Sequence, residues 1–253
     1  MSDFEGLNEA TYRRAGIVEG YAAQAALQEG EARLLELVGD LTGARMLDIG
    51  VGGGRTTAHF VESVGSYVGI DYSPELVDAC RARFPDADLS VGDARDLARF
   101  ADGAFDFVLF SFNGIDYISN GGRRQVLREV HRVLAPSGTF MFSTHNRDYA
   151  RLGKLPWQDS RPGRTMLKQS VHALLHTRRR RAMRRRELIG HDHVLANDNA
   201  HDWSLLTYYI SAPDQVRQLQ AAGFTRIDSF DQWGVPDPGD DRSVWRHYLA
   251  RVS

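Results

Sequence analysis

The sequence predicts one α/β domain: a seven-stranded sheet, parallel except for its last strand, with helices on both faces. Two observations predict it. Between residues 45 and 145 short apolar segments rich in Val, Ile, Leu and Phe alternate with helical ones, which is the pattern of a parallel sheet covered on both sides. At the C-terminal end two further strand-like segments lie too close for a crossover helix, so they pair antiparallel.

The 253 residues, 42% hydrophobic and 25% charged, suffice for a substantial core. The expected organisation is an N-terminal helical cap over 1–40, a core over 44–145, an inserted cover over 146–211, and a C-terminal helix and strand pair over 212–253. In the cap, Glu31 to Val38 carries apolar residues at spacings of three and four. Arg45–Ile49 is the first strand, and a glycine-rich turn leads to a helix over about 55–62. Tyr67–Asp71 is the second strand. Pro74 after Ser73 opens a helix to Arg83. Leu89–Val91 and Ala104–Phe110 are the third and fourth strands, a helix spans about 122–134, and Thr139–Thr144 is the fifth. In the cover, Leu167, Val171, Leu174 and Leu175 predict a helix, and the segments 184–195 and 203–210 predict a hairpin across Ala196–Ala200. Pro213 opens the last helix, Gly223 ends it, and 224–230 and 244–249 are the closing strands.

No long apolar run exists, which argues against a membrane span. The first residues lack a basic region and an apolar core, so no secretory leader is expected and the cytoplasm is the default location. The single Cys80 excludes an intrachain disulfide framework and a multi-cysteine zinc site. Net charge is −2, yet ten positive and no acidic residues fall between Ser160 and Arg186.

The informative stretch is Leu47-Asp48-Ile49-Gly50-Val51-Gly52-Gly53-Gly54-Arg55. Its glycines let the chain turn tightly and bring backbone against a ligand where a Cβ would collide. Asp71, at the end of the second strand, offers a carboxylate to both hydroxyls of a ribose lying across the strand ends. Apart from Arg55, Arg81 and Arg83, no cation lies between Gly50 and Asp93, which disfavours a pyrophosphate cradle. Arg55 itself is read as capping or solvating a helix.

These residues resemble the class I, Rossmann-like S-adenosylmethionine-dependent methyltransferases of the small-molecule, natural-product type. The resemblance rests on an acidic residue, Asp48, just ahead of three alternating glycines, on Val91-Gly92-Asp93-Ala94, on Phe110-Ser111-Phe112-Asn113-Gly114, and on Arg128 to Gly138. Only Ser137 departs, standing where glycine is usual. It implies that Asp48, Gly50, Gly52, Gly53, Asp71, Tyr72, Asp93, Ala94, Ser111 and Phe112 form the cofactor site, with Asp93 accepting from the adenine amino group. It also implies that Tyr12 or Tyr21 closes over the cofactor. The implied reaction is in-line methyl transfer to an oxygen or nitrogen of a small metabolite, anionic ones included, releasing S-adenosylhomocysteine.

Candidate catalytic residues are Asn113, directly after the fourth strand, and His145, at the end of the fifth, where an imidazole can take a proton from an acceptor hydroxyl. His191, His193 and His201 with Asp192 and Asp202 superficially suggest a metal site; acceptor contact or a solvated surface is the preferred reading, and no metal is expected. The run Arg178–Arg186 reads as an exposed strand edge protected by charge or as a grip on an anionic acceptor or partner subunit. Two alternatives stay open: a nucleic-acid methyltransferase using that run, and a cofactor-binding scaffold or sensor without transferase activity. The expected assembly is a monomer or homodimer.

Overall fold

The computed structural model describes residues 5, 6, 8, 11, 16, 20, 26–149, 171, 174–198, 203–236, 239 and 242–253. After α1 (Glu29–Val38), the chain alternates as β1 (Arg45–Ile49), α2 (Thr57–Phe60), β2 (Ser66–Asp71), α3 (Pro74–Arg83), β3 (Asp88–Val91) and β4 (Phe105–Phe110). A single 3-10 turn, η1 (Gly114–Tyr117), precedes α4 (Asn120–Val133) and β5 (Leu134–Asn146). Then follow α5 (Thr177–Arg184), β6 (Leu188–Ile189), β7 (His193–Ala196), β8 (Thr207–Ile210), α6 (Ala212–Ala221), β9 (Arg226–Phe230) and β10 (Trp245–Arg251).

Seven of these strands form the expected core. β1 lies between β2 and β4, β2 pairs with β3, and β4 pairs with β5, all parallel. β10 runs antiparallel between β5 and β9. Alternate side chains bury both faces. Leu47, Val108, Phe140 and Phe142 pack under α4 through Val126, Leu127 and Val130. Met46, Phe107, Leu109 and Met141 pack on the other face against Leu34 of α1 and Val77 and Cys80 of α3. Local capping agrees with the strand-to-helix reading. The Ser73 and Ser119 hydroxyls accept from the backbone N–H groups of Leu76 and Gly122, each at 3.3 Å, satisfying donors at the helix starts.

The sheet, however, has ten strands, not seven. β5 runs on to Asn146, past the last β4 pair at Phe110 and Phe142, and this overhang leaves an open edge. β8 takes it, pairing parallel at His145 and Asn146, and β7 and β6 continue antiparallel outward. The cover therefore extends the sheet itself. The expected hairpin between 184–195 and 203–210 holds in its pairing of β7 with β8, but its first arm divides into the end of α5, β6 and β7. The Arg178–Arg186 run is helix and turn where a strand edge was expected; arginine, alanine and methionine are good helix formers, and Met183 of this stretch packs inward. Leu167 lies outside the described residues.

Ser137, the one departure from the glycine pattern, has φ of 65°. The left-handed conformation explains why glycine suits that turn, and it costs an L-residue roughly 1–2 kcal/mol. No helix among the described residues is long and apolar enough to cross a membrane.

Candidate active site

A cavity of about 370 Å³ opens at the carboxyl ends of β1 to β4, where Ile49, Asp71, Val91 and Phe110 reach its wall. That is where open α/β sheets receive ligands. The glycine loop after β1 forms one side. Gly50, Gly52 and Gly54 have φ of 73°, 54° and 90°. At Gly54 a Cβ would lie 2.9 Å from the Cys80 sulfur and 2.7 Å from the Phe84 ring, so packing as well as conformation demands glycine there.

Asp71 organises this loop. Its Oδ2 accepts the Gly52 N–H and its Oδ1 the Ser73 N–H, both at 2.9 Å. Burial pushes its carboxyl up to about 6, against the opposing pull of those backbone donors. Gly50, Gly52, Gly53, Tyr72, Asp93, Ala94, Ser111 and Phe112 also line the cavity, so the structure brings most of the expected cofactor residues together. Asp48 is the exception. It is fully buried below the loop, where its Oδ2 accepts from Thr56 Oγ1 at 2.5 Å and Tyr67 OH at 2.8 Å. Its Oδ1 has no hydrogen-bond partner among the described residues, and burial pushes its carboxyl up to about 6. It braces the loop from beneath and is absent from the wall. Tyr12 and Tyr21 lie outside the described residues.

Several wall residues escaped sequence reasoning. Arg55, expected to be solvated, is only 7% exposed. Its two Nη atoms hold both oxygens of Glu31 in α1, at 2.6 and 2.9 Å, and Nη2 also donates to Ser111 Oγ at 3.0 Å. Its guanidinium stands 5.1 Å over the Phe112 ring. Across the cavity Arg95 donates to both oxygens of Asp93 and pairs with Glu5 at 3.0 Å. Glu5 accepts the Ser119 N–H at 3.0 Å, and Asn8 exchanges two hydrogen bonds with the backbone of Leu206. Both Glu5 and Asn8 line the cavity, which ties the N-terminal segment over it to the cover.

The two described arginines of the wall are thus already committed to carboxylates, while Asp71 has no cationic partner among the described residues. This favours a positively charged ligand rich in hydroxyl and amino donors over a pyrophosphate, which requires free cations or a run of donors. A sulfonium nucleoside carrying an amino acid fits that set.

Neither catalytic candidate is on this wall. Asn113 is buried at φ 56°, with its N–H bonded to Ser143 Oγ at 2.9 Å and its Oδ1 without a hydrogen-bond partner among the described residues. Phe112 before it has φ 53°, so the turn after β4 holds two consecutive non-glycine residues in the left-handed region, a strain typical of functional turns. His145 is 14% exposed in its side chain, and its Nδ1 lies 2.7 Å from Asp116 Oδ2. Among the described residues of the cover, His191 and His193 do not converge. β7 begins at His193, so His191 lies in the turn before it and the two rings do not share a strand face. His193 bonds Asp192 at 2.7 Å and stacks on Tyr208 at 4.8 Å. His201 and Asp202 lie outside the described residues. Among the described residues no group of three or more His, Cys, Asp or Glu could hold a metal.

The fold is Rossmann-like, with its cavity at the carboxyl ends of the strands. Residues 46–138 match the family described as "Methyltransferase domain", and that match together with the similar proteins supports a class I S-adenosylmethionine-dependent methyltransferase. It is 34% identical over 98 residues to an uncharacterized methyltransferase of Synechocystis, a match covering 39% of this chain and 45% of that protein. It is 32% identical over 105 residues to the demethylmenaquinone methyltransferase of Renibacterium salmoninarum, covering 42% and 43%. The matches thus span less than half the length of these curated relatives. The solved 1,6-didemethyltoxoflavin-N1-methyltransferase of Burkholderia thailandensis shares the fold with a TM-score of 0.60 and 19% identity, over 99% of this chain and 89% of that one.

With Asp71 as the expected acceptor of the ribose hydroxyls, cofactor binding is expected to depend on pH. Above about pH 6 its ionised carboxylate can accept both ribose hydroxyls; below, protonation removes that acceptor. The rise in melting temperature produced by saturating S-adenosylhomocysteine is therefore expected to be larger at pH 7.5 than at pH 5. The gap should narrow in Asp71→Asn, and a gap of unchanged size in that variant would assign the effect elsewhere.

Proposed function

We propose that this chain transfers a methyl group from S-adenosylmethionine to an oxygen or nitrogen of a small metabolite. The observation that carries the reading is Asp71, a buried carboxylate that holds the glycine loop by Gly52 in a cavity whose arginines are spoken for. In this reading Asp71 takes the ribose hydroxyls, the backbone of Gly50, Gly52 and Gly53 borders the ribose and amino-acid portion, and Asp93 and Ala94 receive the adenine. The cofactor supplies a methyl group already activated on a positive sulfur, so the protein contributes mainly alignment and exclusion of water. Phe112, Tyr117 and Ile118 give the wall an apolar side, suited to an acceptor with a ring or chain. The names of the similar proteins, which include ubiquinone and toxoflavin methyltransferases, point the same way. Incubation with methyl-labelled cofactor and fractionated metabolite extracts should yield an acceptor-dependent labelled product. Confirmed cofactor binding with no labelled product from any fraction would favour the scaffold or sensor reading.

One observation favours a second reading. α5 and the turn after it present exposed Arg178, Arg179, Arg181, Arg184, Arg185 and Arg186, a surface able to meet a polyanion. The chain outside residues 160–186 carries a net −12, that is −2 less the ten positive charges of that stretch, which opposes a long polyanion beyond that patch. The expected result is weak binding of transfer RNA and duplex DNA by fluorescence anisotropy, little changed in a triple variant with Arg178, Arg179 and Arg181 as Gln. Tight binding with a log-affinity slope of about −0.9 per duplex phosphate neutralised, lost in the variant, would support the nucleic-acid reading.

A further inference from the structure

Where β4 stops at Phe110 and β5 continues towards its pairing with β8, the turn η1 packs against both β5 and β8. Asp116 of that turn is fully buried and does the work of a missing strand, its Oδ2 accepting the His145 backbone N–H at 2.7 Å. The same oxygen lies 2.7 Å from His145 Nδ1. Its Oδ1 accepts from Arg123 Nη1 at 2.6 Å and from Thr144 Oγ1. A carboxylate has about four lone-pair sites, and all four are therefore engaged.

That count fixes a proton. The amide and the guanidinium can only donate, and the carboxylate beside a buried guanidinium has no proton of its own to give. The contact to Nδ1 is consequently N–H to oxygen, and the neutral imidazole of His145 carries its lone pair on Nε2. No described residue hydrogen-bonds Nε2. The ring packs 5.1 Å from that of Tyr209, and the next residue of η1, Tyr117, is on the cavity wall. Through Asp116 the imidazole is thus joined to the turn that borders the cavity.

We infer that Asp116 is a positioning residue that holds His145 as the Nδ1–H tautomer, ready to take a proton from a hydroxyl acceptor through Nε2. This rests on the methyl-transfer reading and narrows its acceptor class to O–H groups of phenol type. A neutral amine nitrogen has its attacking pair free, whereas a hydroxyl gains most from losing its proton as it attacks. The hydroxyl proton passes to Nε2 while the oxygen pair forms the new bond to the methyl carbon and the carbon–sulfur pair returns to sulfur. The imidazolium that results is held against the Asp116 carboxylate until solvent takes the proton.

The test begins with the full chain labelled with ¹⁵N-histidine, His145 being assigned by its loss in His145→Gln. Long-range proton–nitrogen correlation is expected to show Nδ1 protonated and Nε2 bare in the neutral ring. The double variant Asp116→Leu with Arg123→Met removes both buried charges together and takes away the acceptor at Nδ1, so the ring is expected to lose its Nδ1–H form in favour of Nε2–H. On simple phenols and the matching anilines, wild-type transfer is expected on the phenols, falling at least ~100-fold in the double variant with cofactor binding retained. An Nε2–H ring in the wild-type protein would overturn the inference, as would an unchanged tautomer in a folded double variant. So would transfer to anilines alone or to neither series. If the double variant does not fold, the wild-type tautomer decides. Because the tautomer is read without any acceptor, loss of the methyl-transfer reading would show separately, as absence of cofactor binding in the wild-type chain.

Discussion

Replacing Arg123 by alanine is expected to destabilise the protein by about 3–5 kcal/mol, the usual cost of breaking a buried ion pair from one side. The side chain is fully buried. Besides Asp116 it donates through Nη2 to Thr144 Oγ1 at 3.2 Å and Gln215 Oε1 at 2.8 Å, and its guanidinium lies 4.2 Å from the centre of the Tyr208 ring. It therefore joins η1, β5, α6 and β8, tying the core sheet to the strands of the cover. Alanine would leave the Asp116 carboxylate in an apolar interior with no cation, and a cavity beside it. Arg124, the next residue, supplies the internal control. Its pair with Asp192 is 44% and 24% exposed, so Arg124→Ala should change stability by no more than ~1 kcal/mol. Urea denaturation followed by circular dichroism measures both, and similar losses for the two variants would show that the buried network does not carry this weight.

Asp71→Ala is expected to weaken S-adenosylmethionine binding by about 1.5–3 kcal/mol, the range for hydrogen bonds to a charged group, or roughly 10- to 150-fold in Kd. Two losses act together. The ribose hydroxyls lose their acceptor, and the N–H groups of Gly52 and Ser73 lose the carboxylate that shapes the loop. Asp93→Ala should weaken binding less, since its carboxylate is shared with Arg95 through several contacts and its side chain is 42% exposed. Equal affinities for wild-type protein and Asp71→Ala, measured by calorimetry at pH 7.5, would remove Asp71 from the cofactor site.

What was legible in the sequence follows from range. β1 and α3 have the bounds that their apolar runs, glycines and Ser73-Pro74 start predict, because such signals are local. Much of the cavity wall was legible for the same reason: Gly50, Tyr72 and Ser111 follow strands directly, and strand ends in a parallel sheet converge. The extension through β8, β7 and β6 was not, since it depends on β5 outlasting β4, and β6 is two residues long. The arginine run gave a charge signal without a periodicity to choose helix over strand. Arg123, by contrast, had a signal that went unread. With Val126, Leu127 and Val130 it falls at i, i+3, i+4 and i+7 of α4, on the stripe that faces the core, and an arginine there demands a carboxylate nearby. Asp116 is that carboxylate, seven residues before it. Glu31 could have been found likewise, being the acid on the inward side of α1 with Leu34, whereas its pairing with Arg55 is a tertiary fact with no local trace.

The most direct test of the central claim is a calorimetric titration of the wild-type chain with S-adenosylmethionine, S-adenosylhomocysteine and NAD under one set of conditions. Saturable one-to-one binding of the first two and no heat from NAD is the result expected of a cavity in which, among the described residues, Asp71 has no cationic partner and the arginines are held by carboxylates. Saturable binding of NAD with no response to S-adenosylmethionine would contradict it.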